Sequence, residues 1–247
     1  MKTMGVIPAR YGSTRFPAKV LSCIDGKPLI RHVWEKAMQA KELDEVLIAC
    51  DHPDVLRAAQ LFKAKAVMTD PGHPSGSDRI AEAVKDLRVD IIVNIQGDEP
   101  FIDARTIDSL ALLLKKDPQT MVGTVIKEIT DDADDVNPNV VKCVVDDQGF
   151  ALYFSRSPIP YFRNKNAGTR KYKHLGLYAY RKDFLMKFKD WPKGALESAE
   201  ELEQLRILER GIKIKTTVTQ YESMAVDTPQ DLQKAISWLE KSRLTTK

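Results

Sequence analysis

Cysteine is scarce in this chain, and the few that occur are poorly spaced for pairing. Cys23, Cys50 and Cys143 are far apart among the 247 residues, and none of them belongs to a CxxC pair. A disulfide framework needs an even set of cysteines, so we expect none here. Separated free thiols are typical of a reducing compartment, which predicts a cytoplasmic protein.

Long apolar runs and an excess of one charge are also missing. No stretch approaches the roughly 20 apolar residues that a membrane-spanning helix requires, so we expect no membrane insertion. The first residues pass directly into a strand-like segment at 4–7, so we expect no signal peptide. Lysine and arginine number 38 against 35 acids, a net charge of +3, and this balance does not favour a nucleic-acid partner.

The two common phosphate-binding fingerprints are absent, yet the first loop is rich in cations. The sequence contains neither GxxxxGK[ST] nor GxGxxG. Instead, "PARYGSTRFPAK" (8–19) carries Arg10, Arg15 and Lys19, and no Asp or Glu precedes them. Arginine forks, a lysine ammonium and the hydroxyl of Ser13 are suited to holding a phosphate chain. The alternative is a loop whose cations face only water.

Strand-like runs alternate with helical patterns in the first half, and the second half changes character. Runs such as "VLIAC" and "DIIVNI" are followed by apolar residues at helical spacing, which predicts a mainly parallel sheet with helices on both faces. Further on, "NVVKCVVDDQGFALYF" predicts a hairpin and "KHLGLYAY" another strand. We therefore predict an α/β fold with one domain over residues 1–247, in which residues from roughly 130 to 210 form an antiparallel region.

Two further polar clusters follow predicted strands, where α/β sheets bind ligands. In "QGDEP" (96–100), Asp98 is nearer the strand end than the second acid, and it is the candidate ligand for Mg²⁺, which prefers oxygen donors. The Ser-Gly-Ser run of "HPSGSDR" (73–79) is suited to bringing backbone close to a base or sugar. The plainer alternative for such residues is helix capping, and we assign Asp51 and Ser77 as caps of the helices that follow them.

Ten segments, taken in order, resemble the cytidylyltransferases that activate 3-deoxy-D-manno-octulosonate (Kdo), the CMP-Kdo synthetases. They are spread from Ile7 to Leu232, nearly the whole length of the chain, and their joint specificity is high. The segments are "IPARYGSTRFPAK", "DGKPLI", "ACDHPDV", "PSGSDRIAE", "NIQGDEPFI", "NPNVVKCVVD", "GFALYFSRSPIPY", "KHLGLYAYR", "LESAEELEQLRILERGIKI" and "VDTPQDL". The first loop departs from the family pattern at Val20, where proline is expected, and this change removes no charged group.

The resemblance implies a fold, an assembly and a reaction. The fold is a three-layer nucleotidyltransferase-type fold with a mainly parallel central sheet and an embedded antiparallel element. The assembly is a homodimer, with contacts from the antiparallel region. The reaction is Mg²⁺-dependent transfer of CMP from CTP to the anomeric hydroxyl of Kdo, which gives CMP-Kdo and pyrophosphate for lipopolysaccharide biosynthesis.

The resemblance also implies roles for individual residues. The residues implied at the nucleotide are Arg10, Ser13, Arg15, Lys19, Ser75, Gly76 and Arg79. Those implied at the sugar acid are Gln96, Arg156, His174, Glu203 and Gln204. Asp98 and Asp227 are implied as metal ligands, and they form the catalytic set together with Arg10 and Lys19.

Other interpretations stay open. The acceptor could be an 8-amino analogue of Kdo or another sugar acid, because a few side chains are enough to discriminate between substrates that differ in one substituent. Sialic-acid cytidylyltransferases lack "STRFPAK" and "QGDEP", which argues against them. A non-catalytic CTP-binding regulator is the rival from another functional class, and the presence of both Asp98 and Asp227 argues against it.

Overall fold

The computed structural model describes residues 1–12, 16–164 and 168–245. The chain divides into two compact units. The first consists of Met1–Asp108 together with Glu222–Lys247, and the second consists of Ser109–Tyr221. Each unit has its own strands and helices, and the single-domain description stays a prediction.

The first unit is built on parallel strands. Its strands are β1 (Thr3–Ala9), β2 (Cys23–Ile24), β3 (Lys27–Pro28), β4 (Glu45–Cys50), β5 (Lys65–Met68) and β6 (Ile91–Asn94). Its helices before the second unit are a 3₁₀ turn (Lys19–Leu21), α1 (Leu29–Ala37), α2 (Pro53–Leu61) and α3 (Gly76–Val84), and α4 (Ala104–Lys116) continues into the second unit. The strands β6, β1, β4 and β5 lie side by side in that order, and all of these pairs are parallel. The short strands β2 and β3 form a separate antiparallel pair.

Buried apolar runs explain the strands of the first unit. Met4, Val6 and Ile7 of β1 and all four residues of β6 are buried, as expected for strands that are covered on both faces. On α1 the buried side chains are Leu29, Ile30, Val33 and Ala37, which recur at helical spacing along one face. This packing leaves the polar residues after each strand at the carboxyl edge of the sheet.

The second unit contains the antiparallel element. Its elements are β7 (Val122–Glu128), α5 (Asp132–Val136), β8 (Lys142–Val145), β9 (Ala151–Ser155), β10 (Tyr172–Arg181), α6 (Lys182–Phe188), α7 (Ala195–Glu200), α8 (Leu205–Glu209) and β11 (Ile214–Thr219). The strands follow the order β11, β7, β10, β8, β9, and only the β11–β7 pair is parallel. The hairpin predicted from the sequence is β8 and β9.

The chain returns to the first unit through α9 (Pro229–Thr245). Thr228 and Asp231 cap this helix reciprocally: the Thr228 hydroxyl accepts the N–H of Asp231 at 3.2 Å, and the Asp231 carboxylate accepts the N–H of Thr228 at 3.1 Å. None of the helices in the described ranges combines the length and the apolarity that a bilayer-spanning segment needs.

The caps of α2 and α3 differ from the sequence prediction. His52, rather than Asp51, caps α2, and its ring nitrogen accepts the N–H two residues further on at 3.2 Å. Ser75, rather than Ser77, caps α3 through its hydroxyl, and Ser77 is buried inside the helix. The prediction was wrong because a cap requires extended backbone, which His52 and Ser75 adopt and which residue type alone does not fix.

The apolar spacing from Glu200 to Arg210 predicts one helix, and the structure interrupts that helix. Glu201 has a positive φ of 52° and ends α7, and α8 begins only at Leu205. The apolar spacing of this segment indicates helix on both sides of the break, and it does not encode the left-handed residue between them.

Candidate active site

A cavity of about 410 Å³ opens at the carboxyl edge of the parallel strands of the first unit. Pro8 at the end of β1 and Gln96 just after β6 lie in its wall. Eight of the residues singled out from the sequence line it: Arg10, Lys19, Ser75, Gly76, Arg79, Gln96, Asp98 and Asp227. The strand-end rule therefore located this cavity correctly.

Lys19 joins the two aspartates that the sequence analysis paired. Its Nζ lies 2.7 Å from Oδ2 of Asp98 and 2.8 Å from Oδ1 of Asp227. Burial by itself lowers the pKa of the Lys19 ammonium, but the two carboxylates outweigh this effect and hold the pKa above its ordinary value. Lys19 therefore stays charged, and this loop cation, which no acid precedes in the sequence, has two acidic partners from distant segments.

A backbone contact brings these distant chain segments together. The N–H of Val226 donates to the carbonyl of Asp98 at 2.8 Å, and the Val226 side chain is fully buried. The next residue along, Asp227, is thereby held beside Asp98 although 129 positions separate them in the chain. The predicted meeting of the two carboxylates is confirmed, while their role as metal ligands stays a prediction.

Gly97 allows the loop after β6 to approach β1. A Cβ atom at this position would lie 2.7 Å from the carbonyl oxygen of Pro8, which is closer than real Cβ contacts. The "QGD" turn therefore needs glycine for the close passage of two backbones. This passage sets Asp98 in the wall of the cavity.

Glu99, beside Asp98, has a different environment. Only 7% of the residue is exposed, and its carboxyl accepts the hydroxyl of Ser223 at 2.7 Å. Burial raises the pKa of Glu99 to about 8, the charge of Asp98 adds to the rise, and the Ser223 hydrogen bond opposes it. The two acids of "QGDEP" thus differ: Asp98 faces the cavity, and Glu99 is buried and protonated at neutral pH.

Two residues predicted at the nucleotide, Arg79 and Ser75, form hydrogen bonds to other groups of the protein. Arg79 is 3% exposed, and its guanidinium donates to Asp51 Oδ2 at 3.0 Å and to Thr69 Oγ1 at 2.6 Å. The hydroxyl of Ser75 caps α3 and donates to Asp78 Oδ2 at 2.6 Å. Both residues line the cavity, and their contact with a nucleotide stays a prediction.

Ser13 and Arg15 lie outside the described residues. Sequence reasoning also missed residues that the cavity brings in, namely Pro8, Val20, His73, Pro74 and Gly97. His73 pairs with Glu82 on α3, and Glu82 also accepts the N–H of Asp70 at 2.9 Å. The position of His73 just before "PSGSDR" was the signal available, because that segment was already a candidate for nucleotide contact.

Of the residues predicted at the sugar acid, Gln96 belongs to the first unit, and the other four belong to the second. Arg156 follows β9 directly. Its Nε donates to the Glu200 carbonyl at 2.7 Å, and its Nη1 donates to the Pro138 carbonyl at 3.0 Å. The main chain thus holds the guanidinium in one orientation without a carboxylate on those nitrogens.

His174, on β10, is a neutral side chain. Its ring packs against Phe154 and Tyr178, with centroids 5.1 and 5.2 Å away, and its Nε2 lies 3.0 Å from the Thr124 hydroxyl. The residue keeps some exposed surface, but this apolar packing dominates, and burial lowers the pKa of His174 to about 3. His174 can therefore offer a hydrogen bond as a neutral ring, and it brings no positive charge to the sugar acid at neutral pH.

Gln204 stands at the N-terminal boundary of α8, one position after Glu203, and its side chain makes no capping hydrogen bond. The residue is 6% exposed, and its Nε2 has no hydrogen-bond partner among the described residues. An unpaired buried amide is costly, at roughly 1–3 kcal/mol, so such a group is a reasonable candidate for contact with a ligand oxygen.

The residues present fit a magnesium ion. Two carboxylates already converge on one cationic atom, with Nζ–O distances of 2.7 and 2.8 Å, and Mg²⁺ commonly uses one or two carboxylates with substrate phosphates as its remaining ligands. Within the described ranges no group of three or more His, Cys, Asp or Glu side chains forms a metal cage. The donors therefore allow a site in which two protein carboxylates and the substrate phosphates together bind the ion.

The comparisons with known proteins point to one family. The family model for cytidylyltransferases matches residues 4–214. The 3-deoxy-manno-octulosonate cytidylyltransferase of Solibacter usitatus is 49% identical over 94% of this chain and 92% of its own length. The enzyme of the same name from Thermodesulfovibrio yellowstonii is 48% identical over 95% of this chain and 97% of its own length.

Solved structures agree with the sequence relatives. The structure of CMP:2-keto-3-deoxy-manno-octonic acid synthetase in complex with CTP is 44% identical, with a TM-score of 0.94 over 98% of this chain and 100% of that chain. A Bacillus anthracis protein assigned as a glucose-1-phosphate thymidylyltransferase shares only the fold, with 17% identity and a TM-score of 0.67 over 96% of this chain and 94% of that chain. The chain therefore has a nucleotidyltransferase fold and belongs to the family of 3-deoxy-manno-octulosonate cytidylyltransferases.

Proposed function

We propose that this protein transfers CMP from CTP to the anomeric hydroxyl of Kdo. The observation that carries the proposal is the pair Asp98 and Asp227, held with Lys19 in a cavity that the opening loop also lines. The near full-length similarity to enzymes named for this reaction supports it. The sugar oxygen attacks the α-phosphorus, the bond to the bridging oxygen breaks, and pyrophosphate leaves.

The chain contributes alignment and charge rather than a covalent nucleophile. Arg10 and Lys19 would oppose the triphosphate, because both line the cavity and both are cationic. Lys19 now bonds to two carboxylates, so binding of a triphosphate would draw its ammonium towards the phosphate oxygens. Ser75, Gly76 and Arg79 form the wall proposed for the cytidine, with Ser13 and Arg15 proposed at the phosphates.

Asp98 and Asp227 would hold Mg²⁺ once Lys19 has moved. When bound, the ion would neutralise phosphate charge and assist deprotonation of the sugar hydroxyl. The two carboxylates orient towards one point because the backbone bond from Val226 to Asp98 fixes both segments.

The proposed sugar-acid contacts have chemistry that suits a hydroxylated acid. Arg156 carries a fixed positive charge, and its guanidinium is oriented by backbone carbonyls. His174 and the unpaired Nε2 of Gln204 offer neutral hydrogen-bonding groups, and Glu203 and Gln96 are the remaining proposed contacts. Arg156→Ala should raise the KM for Kdo or lower kcat while CTP affinity stays near normal, which steady-state kinetics and calorimetry measure.

The test of the reaction is pyrophosphate release from CTP and Mg²⁺ with a panel of sugar acids. We expect release with Kdo and none without an acceptor. Faster turnover of an 8-amino Kdo analogue would assign that substrate instead. CTP binding without pyrophosphate release for any acceptor would favour the alternative of a non-catalytic CTP-binding regulator.

The paired carboxylates have a separate test. Asp98→Asn and Asp227→Asn should each reduce kcat by orders of magnitude while the folded variants still bind CTP. The double variant should lose far less than the product of the single losses, because groups acting on one ion are not additive. Near-normal turnover of Asp227→Asn at saturating Mg²⁺ would show instead that this residue only supports the start of α9, a contribution of roughly 0.3–1 kcal/mol.

We also propose that the product serves lipopolysaccharide assembly in the cytoplasm and that the protein is a homodimer. The relatives' name supports the first proposal, since Kdo is a lipopolysaccharide sugar. Free, separated cysteines support the compartment.

A further inference from the structure

Asp51 makes a contact that its sequence position does not predict. It follows β4 directly, and its carboxylate side chain is only 9% exposed. Oδ1 accepts the N–H of Tyr11 at 2.7 Å, and Oδ2 accepts Nη2 of Arg79 at 3.0 Å. One carboxylate thus joins the opening loop to α3.

Both ends of this link continue into the cavity wall. On the loop side, the carbonyl of Tyr11 accepts the N–H of Ala18 at 3.0 Å, so Tyr11 is fixed through both of its backbone groups. Tyr11 follows Arg10, and Ala18 precedes Lys19, and both of these cations line the cavity. The hydrogen bond of Asp51 to Tyr11 therefore influences the positions of Arg10 and Lys19.

On the other side, Asp51 fixes a buried guanidinium. Arg79 is 3% exposed and also donates to Thr69 Oγ1 at 2.6 Å. The Thr69 hydroxyl donates in turn to the Cys50 carbonyl at 3.0 Å, at the end of β4. A buried ion pair with satisfied hydrogen bonds is rigid, and removing one partner leaves a buried charge uncompensated.

We propose that Asp51 is a positioning residue for nucleotide binding: it holds the loop with Arg10 and Lys19 at a fixed distance from α3. It touches no reacting group, and it acts through Tyr11 and Arg79. The inference rests on the proposed function in one respect, because that function makes CTP the nucleotide that binds in the cavity.

Asp44 is a matched control for Asp51, and it lies at the opposite end of the β1–β4 pair. Asp44 precedes β4 as Asp51 follows it, and Asp44 Oδ2 accepts the N–H of Thr3, at the start of β1, at 2.7 Å. The two aspartates thus make the same kind of bond of the same length, one at each end of the β1–β4 pair. Asp44 does not line the cavity.

The experiment measures CTP affinity by calorimetry for folded wild type, Asp51→Ala, Asp51→Asn and Asp44→Ala, with melting temperatures alongside. Asp51→Ala should raise the CTP Kd about tenfold. Asp51→Asn should give an intermediate loss of about threefold or more, because its amide oxygen still accepts the Tyr11 N–H while its NH₂ group opposes the Arg79 guanidinium. Asp44→Ala should lower the melting temperature and leave the CTP Kd within about twofold of wild type.

A CTP Kd within about twofold of wild type for Asp51→Asn would overturn the proposal, and that variant decides the matter if Asp51→Ala does not fold. An equal loss of affinity in Asp44→Ala would also overturn it, since the effect would then follow strand stability alone. If wild type itself does not bind CTP, the proposed function fails. If wild type binds CTP and the Asp51 variants bind equally well, only the positioning role fails.

Discussion

At the scale of single residues, the cavity contains a cation that the protein itself provides. The ammonium of Lys19 bonds to Asp98 and Asp227 and keeps two neighbouring carboxylates compatible with each other. Without a positive charge between them, two neighbouring carboxylates repel each other. Lys19 therefore has two expected partners, the carboxylates in the free protein and the phosphates in the complex.

Lys19→Met should change two affinities in opposite directions. CTP should bind about tenfold or more weakly, since a charge-assisted hydrogen bond contributes about 1.5–3 kcal/mol, and CMP should be affected much less. Mg²⁺ should bind the free variant more tightly than the wild type, because the two carboxylates no longer share an ammonium. Calorimetric titration with each ligand measures all three values.

Lys27→Met is the control for this experiment, because Lys27 pairs with Glu35 in the same unit and does not line the cavity. It should leave all three affinities unchanged. An equal loss for CMP and CTP in Lys19→Met would contradict the assignment of Lys19 to the outer phosphates. An unchanged Mg²⁺ affinity would contradict its pairing with the carboxylates in solution.

His174 gives a prediction about acid stability. Burial holds its folded pKa at about 3, well below the usual value of about 6.5. As the pH falls below 6.5, the unfolded chain therefore takes up a proton that the folded protein refuses, and stability is lost progressively until the pH reaches the folded pKa. At about pH 5 the loss amounts to at most about 2 kcal/mol.

His174→Gln should remove this part of the acid sensitivity. Denaturant unfolding at about pH 8, where histidine is neutral in both states, gives the pH-independent cost of the substitution. The stability difference between wild type and variant should then shift in favour of the variant as the pH falls to about 5. A difference that stays constant over this range would mean that His174 titrates normally in the folded protein.

At the scale of elements, Lys142 supports the hairpin of β8 and β9. The residue is fully buried, and its Nζ donates to the carbonyls of Asn137, Val140 and Arg156. Burial lowers the pKa of this ammonium, and the nearby charges of Asp135 and Glu200 oppose the change. One side chain thus satisfies three main-chain acceptors, including that of the arginine proposed at the sugar acid.

Lys142→Met should therefore destabilise the protein strongly. It leaves three carbonyls without their donor, at roughly 1–3 kcal/mol for each that stays buried and unpaired. Lys173 is the matched control, because it lies opposite Lys142 on β10 and forms a half-buried ion pair with Asp134 at 2.7 Å. Lys173→Met should cost less than Lys142→Met, because its ion pair keeps some contact with solvent and is partly screened. Urea unfolding of both variants tests this, and equal costs would contradict the carbonyl-binding role.

The elements themselves were largely predictable from the sequence, and their terminal contacts were not. The strands β1, β4 and β6 are apolar runs of strand length, and α1 has a single apolar face, so local pattern was enough. The partners of Asp51 lie 40 positions before it and 28 positions after it. No local pattern specifies such contacts, which explains why a helix cap was predicted there instead.

The site was predictable to a similar degree. The strand-end rule and the family resemblance together brought Asp98 and Asp227 to one place, which the structure confirms. The protonated state of Glu99 was not predictable, because it depends on burial under the returning segment that carries Ser223. Its neighbour Asp98 has the same carboxylate chemistry and a different environment.

At the scale of the whole molecule, the predicted homodimer can be tested on the exposed apolar side chains of the second unit. Leu152 on β9 is 60% exposed and lies within the region of roughly 130–210 where we expect dimer contacts. Sedimentation should give wild type a mass of twice 27.9 kDa, and Leu152→Glu should reduce it towards 27.9 kDa. Leu61→Glu is the control, because Leu61 is 87% exposed and belongs to the first unit.

A monomeric wild type would contradict the homodimer. A Leu152→Glu variant that stays dimeric would place the contact elsewhere in the protein. The same result for Leu61→Glu and Leu152→Glu would indicate a general effect of added charge rather than a specific interface.

The backbone bond from Val226 to Asp98 also has a consequence for how the protein is made. A ribosome delivers Lys19 and Asp98 early, then the whole of the second unit, and only afterwards Val226 and Asp227. Until the returning segment is made, the emerging polypeptide carries Lys19 and Asp98 but lacks Asp227, the second carboxylate beside Lys19. The enzyme is therefore expected to acquire its activity in a late step of synthesis, when the returning segment joins the strands made first.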